Sequence, residues 1–219
     1  MKKLLIVYQK EDKGVIAYKR AIERKCKINN IEVEEFMATG TEETLQVINK
    51  TNSDGYILLQ PLKGIDIDYL RKNIKTNSKD LDCFTYQSLG QVMDKNFDSM
   101  PQTCKAIIKH LDKIDLVGKD IIIANSTNVI GKPLAMYLNA KKATVTLFNS
   151  KTRNQKDKIR KSDIFIFAIG KPNYYNKEYF REGQILIDVG TSYVDNKLVG
   201  DIFYEDLENL DVRNSFLII

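Results

Sequence analysis

With 219 residues, 43% hydrophobic and 29% charged, the chain has the make-up of a soluble globular protein; it is too long for one average domain, too short for two large ones and too apolar for disorder. The net charge of +5 comes from 34 basic residues scattered among 29 acidic ones, which favours solvated helix faces over a nucleic-acid stripe, and no run approaches the roughly 18 to 20 apolar residues of a membrane span, so neither partner is expected. Cys26, Cys83, Cys104 and the single His110 lack the spacing of a disulfide framework or a metal site, which points to no metal and to the reducing cytoplasm.

From the first residue, strand-like and helix-like segments alternate, the pattern of an α/β fold in which helices pack on parallel sheets. Met1-Lys2-Lys3 and the apolar Leu4–Tyr8 imitate a signal peptide, yet Lys10-Glu11-Asp12-Lys13 follow at once, so Lys3–Tyr8 reads as a first strand. A crossover helix over Gly14–Asn29 leads to a strand at Ile31–Met37. A second helix over Thr41–Thr51 is begun by Thr41 as its cap, with Glu42 and Glu43 in the first turn, and leads to a strand at Gly55–Gln60. Ile65–Ile74 reads as helical and the polar Thr76–Phe84 as a surface or cleft loop. A helix over Gln102–Ile114, with His110 on its surface, opens the second half. Strands are expected there at Asp120–Ala124, Ala143–Phe148, Asp163–Ile169 and Gln184–Val189. Their tips, Asn125, Asn149, Gly170 and Gly190, lie where open α/β sheets bind ligands. Two α/β units result, assigned to residues 1–110 and 111–219.

Gly118–Pro133 is the most telling stretch. A strand-like apolar run meets a small polar turn ending in Gly131-Lys132-Pro133, and a helix-compatible segment, Leu134–Ala140, follows. Exposed amides at a helix start, together with the positive end of its dipole, favour an anion, so a phosphate-binding corner is expected.

Several segments now match a known family. Gly55-Tyr-Ile-Leu-Leu-Gln60-Pro-Leu62, Lys79-Asp-Leu-Asp82, Asn125-Ser-Thr-Asn-Val-Ile-Gly131-Lys-Pro133, Ala143-Thr-Val-Thr146 with Ser150-Lys-Thr152, Ala168-Ile-Gly170-Lys-Pro172, Ile187-Asp-Val-Gly190 and Lys197-Leu-Val-Gly-Asp201 stand in family order across about residues 55–202. In them the chain resembles the FolD family of bifunctional methylenetetrahydrofolate dehydrogenases/methenyltetrahydrofolate cyclohydrolases. The resemblance implies an amino-terminal folate-type domain and a carboxyl-terminal Rossmann-type nucleotide-binding domain. It also implies a folate substrate, hydride transfer to NADP or NAD, hydrolysis of the resulting methenyl group, and a homodimer. By position, Tyr18 matches the tyrosine that packs on the folate, Gln60 the glutamine that helps place the catalytic lysine, and Asp82 the aspartate that binds the pterin. A flat ring suits an aromatic surface, and a carboxylate can accept paired hydrogen bonds from a pterin; the residue-level alternatives are a covered helix face, a strand cap and a turn. The expected nucleotide residues are Asn125, Ser126, Thr127, Ile130 and Gly131 at the corner, Ser150 and Lys151 after the second strand, Ala168 and Gly170 after the third, and Gly190 and Thr191 after the fourth.

The departures are as informative. Ile22 stands where the family has its catalytic lysine, one helical turn from Tyr18, so the cyclohydrolase step is expected to be weak or lost; Lys25, a further turn along, is a poor replacement. Asn125 replaces the first glycine of the corner, a substitution tolerated if its backbone is left-handed, and Ser126 replaces an arginine that favours the NADP phosphate. No acidic residue follows the second nucleotide strand, whereas Lys151, Arg153 and Ser150 suit a phosphate, which keeps NADP ahead of NAD. Gln102 and Cys104 replace a cysteine and a proline, leaving Pro101 and Thr103. The family's leading helix, its Pro-Gly-Gly-Val-Gly-Pro-Met-Thr loop and its last helix have no counterpart around a sequence running from Met1 to Asp211–Ile219, so a trimmed folate side is expected. Three readings stay open: a dehydrogenase with little or no cyclohydrolase activity, a non-catalytic homologue that binds nucleotide or folate, and a different small Rossmann-type oxidoreductase.

Overall fold

The computed structural model describes the chain apart from residues 195–196, 208–209 and 217–219, so the last three residues of the quoted carboxyl-terminal stretch lie outside it. The chain forms two compact units, Met1–Met100 and Pro101–Ile219.

In the first unit, β1 (Lys2–Tyr8), α1 (Lys13–Ile28), β2 (Ile31–Met37), α2 (Thr41–Lys50), β3 (Gly55–Leu58), α3 (Ile67–Asn73), β4 (Lys79–Asp80) and α4 (Tyr86–Met93) follow in order. The sheet is parallel, with strand order β2-β1-β3-β4. Because strand side chains alternate between faces, Leu4, Ile6 and Tyr8 pack with Val15 and Cys26 of α1, while Leu5 and Val7 pack with Leu45, Ile48 and Leu70 of α2 and α3. Strand β2 is at the edge, which suits its alternation of Glu32 and Glu34 with half-buried Ile31 and Val33. Asp12 starts α1, its carboxylate accepting the Val15 N–H at 2.9 Å.

Thr41 does not cap α2, as the sequence suggests. Gly40 occupies the cap without a side-chain bond, and the Thr41 hydroxyl instead accepts the Asp66 N–H at 2.8 Å. The threonine is spent on a loop distant in sequence, and Glu42 and Glu43 still favour the helix start. Within the expected 76–84 loop, β4 pairs with Gly55 and Tyr56.

The second unit contains α5 (Gln102–Leu111), β5 (Asp120–Ala124), α6 (Gly131–Ala140), β6 (Thr144–Leu147), α7 (Gln155–Lys161), β7 (Ile164–Phe167), β8 (Ile185–Asp188), β9 (Ser192–Val194), β10 (Lys197–Val199) and β11 (Arg213–Phe216). Its parallel sheet runs β11-β8-β7-β5-β6, and β9 and β10 form a separate antiparallel pair. Strands covered on both faces read as continuous apolar runs, and β7, Ile-Phe-Ile-Phe, is buried throughout. The chain steps from β5 to β6 on one side and returns past β5 to β7 on the other, a topological switch point that leaves a crevice at the carboxyl ends of these strands.

Candidate functional site

A cleft of about 330 Å³ lies at that switch point. Ala124, Asn125 and Ser126 contribute from the end of β5, Phe148, Asn149 and Ser150 from the end of β6, and Ala168, Ile169 and Lys171 from the end of β7. Gln155 of α7 and the Tyr174-Tyr175 pair complete the lining. Of the expected nucleotide residues, Asn125, Ser126, Ser150 and Ala168 line the cleft. Thr127, Ile130 and Gly131 lie in the adjoining turn instead, and the exposed Lys151 is not part of the lining. Lys171, by contrast, is the one charged side chain in the lining among the described residues, although its sequence context assigns it no role.

The corner between β5 and α6 is tighter than the sequence suggests. Asn125 is not among the residues with positive φ; its side chain acts as a hub, with Nδ2 donating to the Ala168 carbonyl at 2.7 Å and Oδ1 accepting from the Thr127 N–H at 2.9 Å, the Thr127 hydroxyl at 2.7 Å and the Gly131 N–H at 3.0 Å. The first amide of α6 is thus already taken, not exposed. The Ile130 N–H reaches the Thr127 hydroxyl at 3.3 Å and the Lys132 N–H reaches the Thr127 carbonyl at 3.0 Å, whereas the Ser126 amide has no acceptor among the described residues. Glycine at 131 is required by close approach, because a Cβ there would stand 2.0 Å from the Asn125 carbonyl oxygen. From the other side, the buried Cys104 thiol of α5 lies 3.4 Å from the Ile130 carbonyl and 3.6 Å from that of Val129.

Two buried carboxylates fasten the opposite wall. Asp201 accepts the amides of Ile169 at 2.7 Å, Gly170 at 3.3 Å and Lys171 at 2.8 Å. Asp188 accepts those of Gly190 at 3.1 Å, Asp201 at 3.1 Å and Ile202 at 2.9 Å. Both are fully buried. Gly190 packs against Asp201, where a Cβ would meet the carboxylate at 2.1 Å. Thr191 is exposed beside it. Burial pushes the Asp188 carboxyl up to about 6, against three backbone N–H bonds that favour the charged form.

That elevation gives a signed pH dependence. Between its unfolded value of 3.8 and about 6, the folded state keeps a proton that the unfolded state has released, so stability from this group is complete below 3.8 and is lost as pH rises through 6. The loss is at most about 3 kcal/mol, because each tenfold difference in proton affinity between the two states is worth about 1.4 kcal/mol. Chemical denaturation of Asp188→Asn, which cannot titrate, should show its stability penalty relative to wild type shrinking from pH 4 to pH 6.5. A penalty constant over that interval would contradict the assignment.

In the amino-terminal unit, Tyr18 of α1 is partly exposed, and burial of its ring followed by the charge of the Asp82 carboxylate raise its phenol above the ordinary value. The charge of Asp82, remote in sequence, thus acts on the Tyr18 phenol. Asp82 sits in a loop built on the buried Asp80, whose carboxylate accepts the amides of Phe84 at 3.0 Å and Thr85 at 2.8 Å and the Thr85 hydroxyl at 3.1 Å. Sequence reasoning misses Asp80, because residues two apart in an extended stretch share a face and nothing local in Lys79-Asp-Leu-Asp82 tells the buried aspartate from the other. Gln60 is exposed and precedes the cis bond to Pro61; among the described residues no hydrogen bond draws it to Tyr18 or Asp82.

Ile22 packs, half-buried, against the cluster of Leu4, Ile6 and Tyr8. Lys25 is exposed. Lys19 is committed elsewhere, its ammonium 2.5 Å from Glu23 and 2.7 Å from Glu35.

Comparison with known proteins agrees with this geometry. The model of the tetrahydrofolate dehydrogenase/cyclohydrolase NAD(P)-binding domain matches residues 99–213. The chain is 37% identical over 188 residues to the bifunctional protein FolD of Clostridium novyi, covering 83% of this chain and 66% of that one. It is 37% identical over 172 residues to FolD of Clostridium beijerinckii, covering 75% and 60%, so it spans less than two thirds of the length of these relatives. The crystal structure of the bifunctional FolD from Campylobacter jejuni superposes with a TM-score of 0.90 at 26% identity, covering 99% of this chain and 80% of that one.

Proposed function

The chain belongs to the tetrahydrofolate dehydrogenase/cyclohydrolase family, and from that premise we propose that it is a methylenetetrahydrofolate dehydrogenase that transfers hydride to NAD(P), with cyclohydrolase activity weak or lost. The observation that carries this reading is the cleft at the ends of β5, β6 and β7. The residues present fit a dinucleotide: Gly131 lets α6 pack closely against the end of β5, polar Asn149 and Ser150 line the end of β6, where a ribose is expected, and no carboxylate lines the cleft among the described residues. Bound nicotinamide would supply the hydride acceptor. The chain's own contribution is to hold and orient, since a donor and an acceptor kept in line need little further chemistry from side chains.

On the folate side the proposal rests on Tyr18 as an aromatic face and Asp82 as the acceptor for pterin N–H groups. Gln60 carries less weight, because the lysine that it would place is Ile22. The folate-type part is assigned to Met1–Met100 and the nucleotide part to Pro101–Ile219, a division that falls before α5 and not, as expected from the sequence, between residues 110 and 111. A homodimer in the cytoplasm completes the reading; among the described residues no helix is long and apolar enough to cross a membrane.

The test is purified protein given methylenetetrahydrofolate with NADP or NAD, following cofactor reduction and, separately, loss of the methenyl absorbance. Reduction without accelerated ring opening is expected. Absence of both reduction and saturable nucleotide binding would sink the proposal. A second reading, a non-catalytic binding homologue, is favoured by the Asn125 side chain already occupying the Gly131 amide, and predicts nucleotide binding without reduction.

The missing base gives a sharper prediction. Ile22→Lys should cost about 1 to 2 kcal/mol of stability, because a half-buried aliphatic side chain is lost, but should raise the rate of methenyl hydrolysis at least tenfold. A folded variant with no gain would show that more than the amine is lacking.

A further inference from the structure

Lys171 and Tyr174 sit together at the cleft and are held in place from behind. The Lys171 ammonium lies over the Tyr174 ring, 5.2 Å from its centre, while the Lys171 amide is bonded to buried Asp201 at 2.8 Å. Tyr174 is 45% exposed, yet its ring meets that of fully buried Tyr175 edge-on at 4.8 Å. Tyr175 in turn packs, tilted, against Phe167 of β7 with ring centres 5.1 Å apart. The Asn173 amide donates to the Gly200 carbonyl at 3.1 Å and the Tyr175 amide to that of Asp201 at 3.0 Å, so the backbone on both sides of Tyr174 is tied down. An exposed aromatic face backed by a buried aromatic cluster offers a rigid platform at little entropic cost, and an ammonium free to leave a ring face can exchange that contact for an anion.

The rest of the lining indicates which anion. Asn149 and Ser150 occupy the strand end where ribose hydroxyls face a Rossmann-type site, a place that enzymes preferring the free 2′-hydroxyl fill with a carboxylate. Among the described residues the cleft lining holds no carboxylate, and Lys171 is its only charged side chain. Position 126, where the resemblance expects an arginine, holds Ser126.

We propose that Lys171 and Tyr174 form the adenosine clamp of this cleft, Tyr174 stacking on the adenine and Lys171 binding the phosphate on the 2′ oxygen of the adenosine ribose, in place of the cation absent at position 126. This rests on the nucleotide-binding reading above and specifies which end of the nucleotide the cleft selects and by which residues.

Calorimetric titration of the full chain with adenosine 2′,5′-bisphosphate and with adenosine 5′-monophosphate tests it, because these ligands differ only in the 2′-phosphate. Wild type should prefer the bisphosphate at least tenfold. Lys171→Gln should weaken the bisphosphate about tenfold and change the monophosphate less than twofold, and Lys171→Arg should restore the preference. Tyr174→Leu should weaken both ligands about equally, with Tyr174→Phe near wild type. Both side chains are exposed, so folding is not at risk. If Lys171→Gln leaves the preference intact, or weakens both ligands alike, the role of Lys171 falls while nucleotide binding stands; if Tyr174→Leu changes neither, the platform falls. If wild type binds neither ligand, the nucleotide reading falls with the clamp.

Discussion

Asp201→Ala is expected to lower the stability of the carboxyl-terminal unit by about 3 to 5 kcal/mol, the range found when a buried hydrogen-bonding network is broken. The carboxylate is fully buried and accepts three consecutive amides, those of Ile169, Gly170 and Lys171. Its removal leaves those donors without a partner and opens a hole beside Gly190. For a chain of this size the loss corresponds to a fall in Tm of roughly 6 to 20 °C. Because the same amides set the cleft wall, NADP affinity measured well below the new Tm should fall at least tenfold. Asp201→Asn keeps the shape but sets an NH2 group against at least one backbone N–H, so it should lie between wild type and alanine. Calorimetry that found Asp201→Ala within about 1 kcal/mol of wild type, the net worth of a single ordinary hydrogen bond, would refute the assigned role.

Gly131→Ala should be nearly as damaging, but through sterics. The added methyl would stand 2.0 Å from the Asn125 carbonyl oxygen and 2.6 Å from its carbon, backbone atoms that cannot rotate away. Relief requires α6 to move off the end of β5, where Pro133, Leu134 and Leu138 are buried. Overpacking of this kind costs about 1 to 3 kcal/mol, and more where backbone must shift. Loss of saturable NADP binding is the expected readout, with the amino-terminal unit still folded by circular dichroism. Binding within twofold of wild type would show that the β5–α6 corner does not contribute to recognition.

Much of the fold is legible in the sequence because the central strands are buried on both faces and so stand out as apolar runs. The bounds expected for Asp120–Ala124 and Ile31–Met37 agree with β5 and β2 to the residue. Helix α7 is harder to see, since only Ile159 in it is buried, and a single anchor among lysines looks like a solvated charge cluster. Helix α4 begins with Thr85, whose side chain accepts the Ser88 N–H, but this cap follows directly on a polar stretch with loop character and is masked by it. In the site, motif spacing locates the cleft but not the work done by each residue. Sequence treats Asn125 as a question of backbone conformation, whereas its role depends on the Ala168 carbonyl, 43 residues away, which no local pattern reveals. Asp188 and Asp201 stand inside family motifs, yet only their hydrogen-bond partners identify them as fasteners of backbone loops. Lys171 likewise stands within Gly170-Lys-Pro172 without an evident role, because its relation to Tyr174 depends on how the following segment is anchored.

The clasp made by Asp201 also sets an order of events during synthesis. Its bond to the Lys171 amide joins residues 30 apart, so a nascent chain that has emerged only as far as β8 already has β5, β6, β7 and β8 available to pair, while the segment after β7 still lacks its acceptor. These four strands can therefore pair first, the cleft acquires its far wall only when the ribosome has released the stretch beyond β10, and β11 joins the edge of the sheet last.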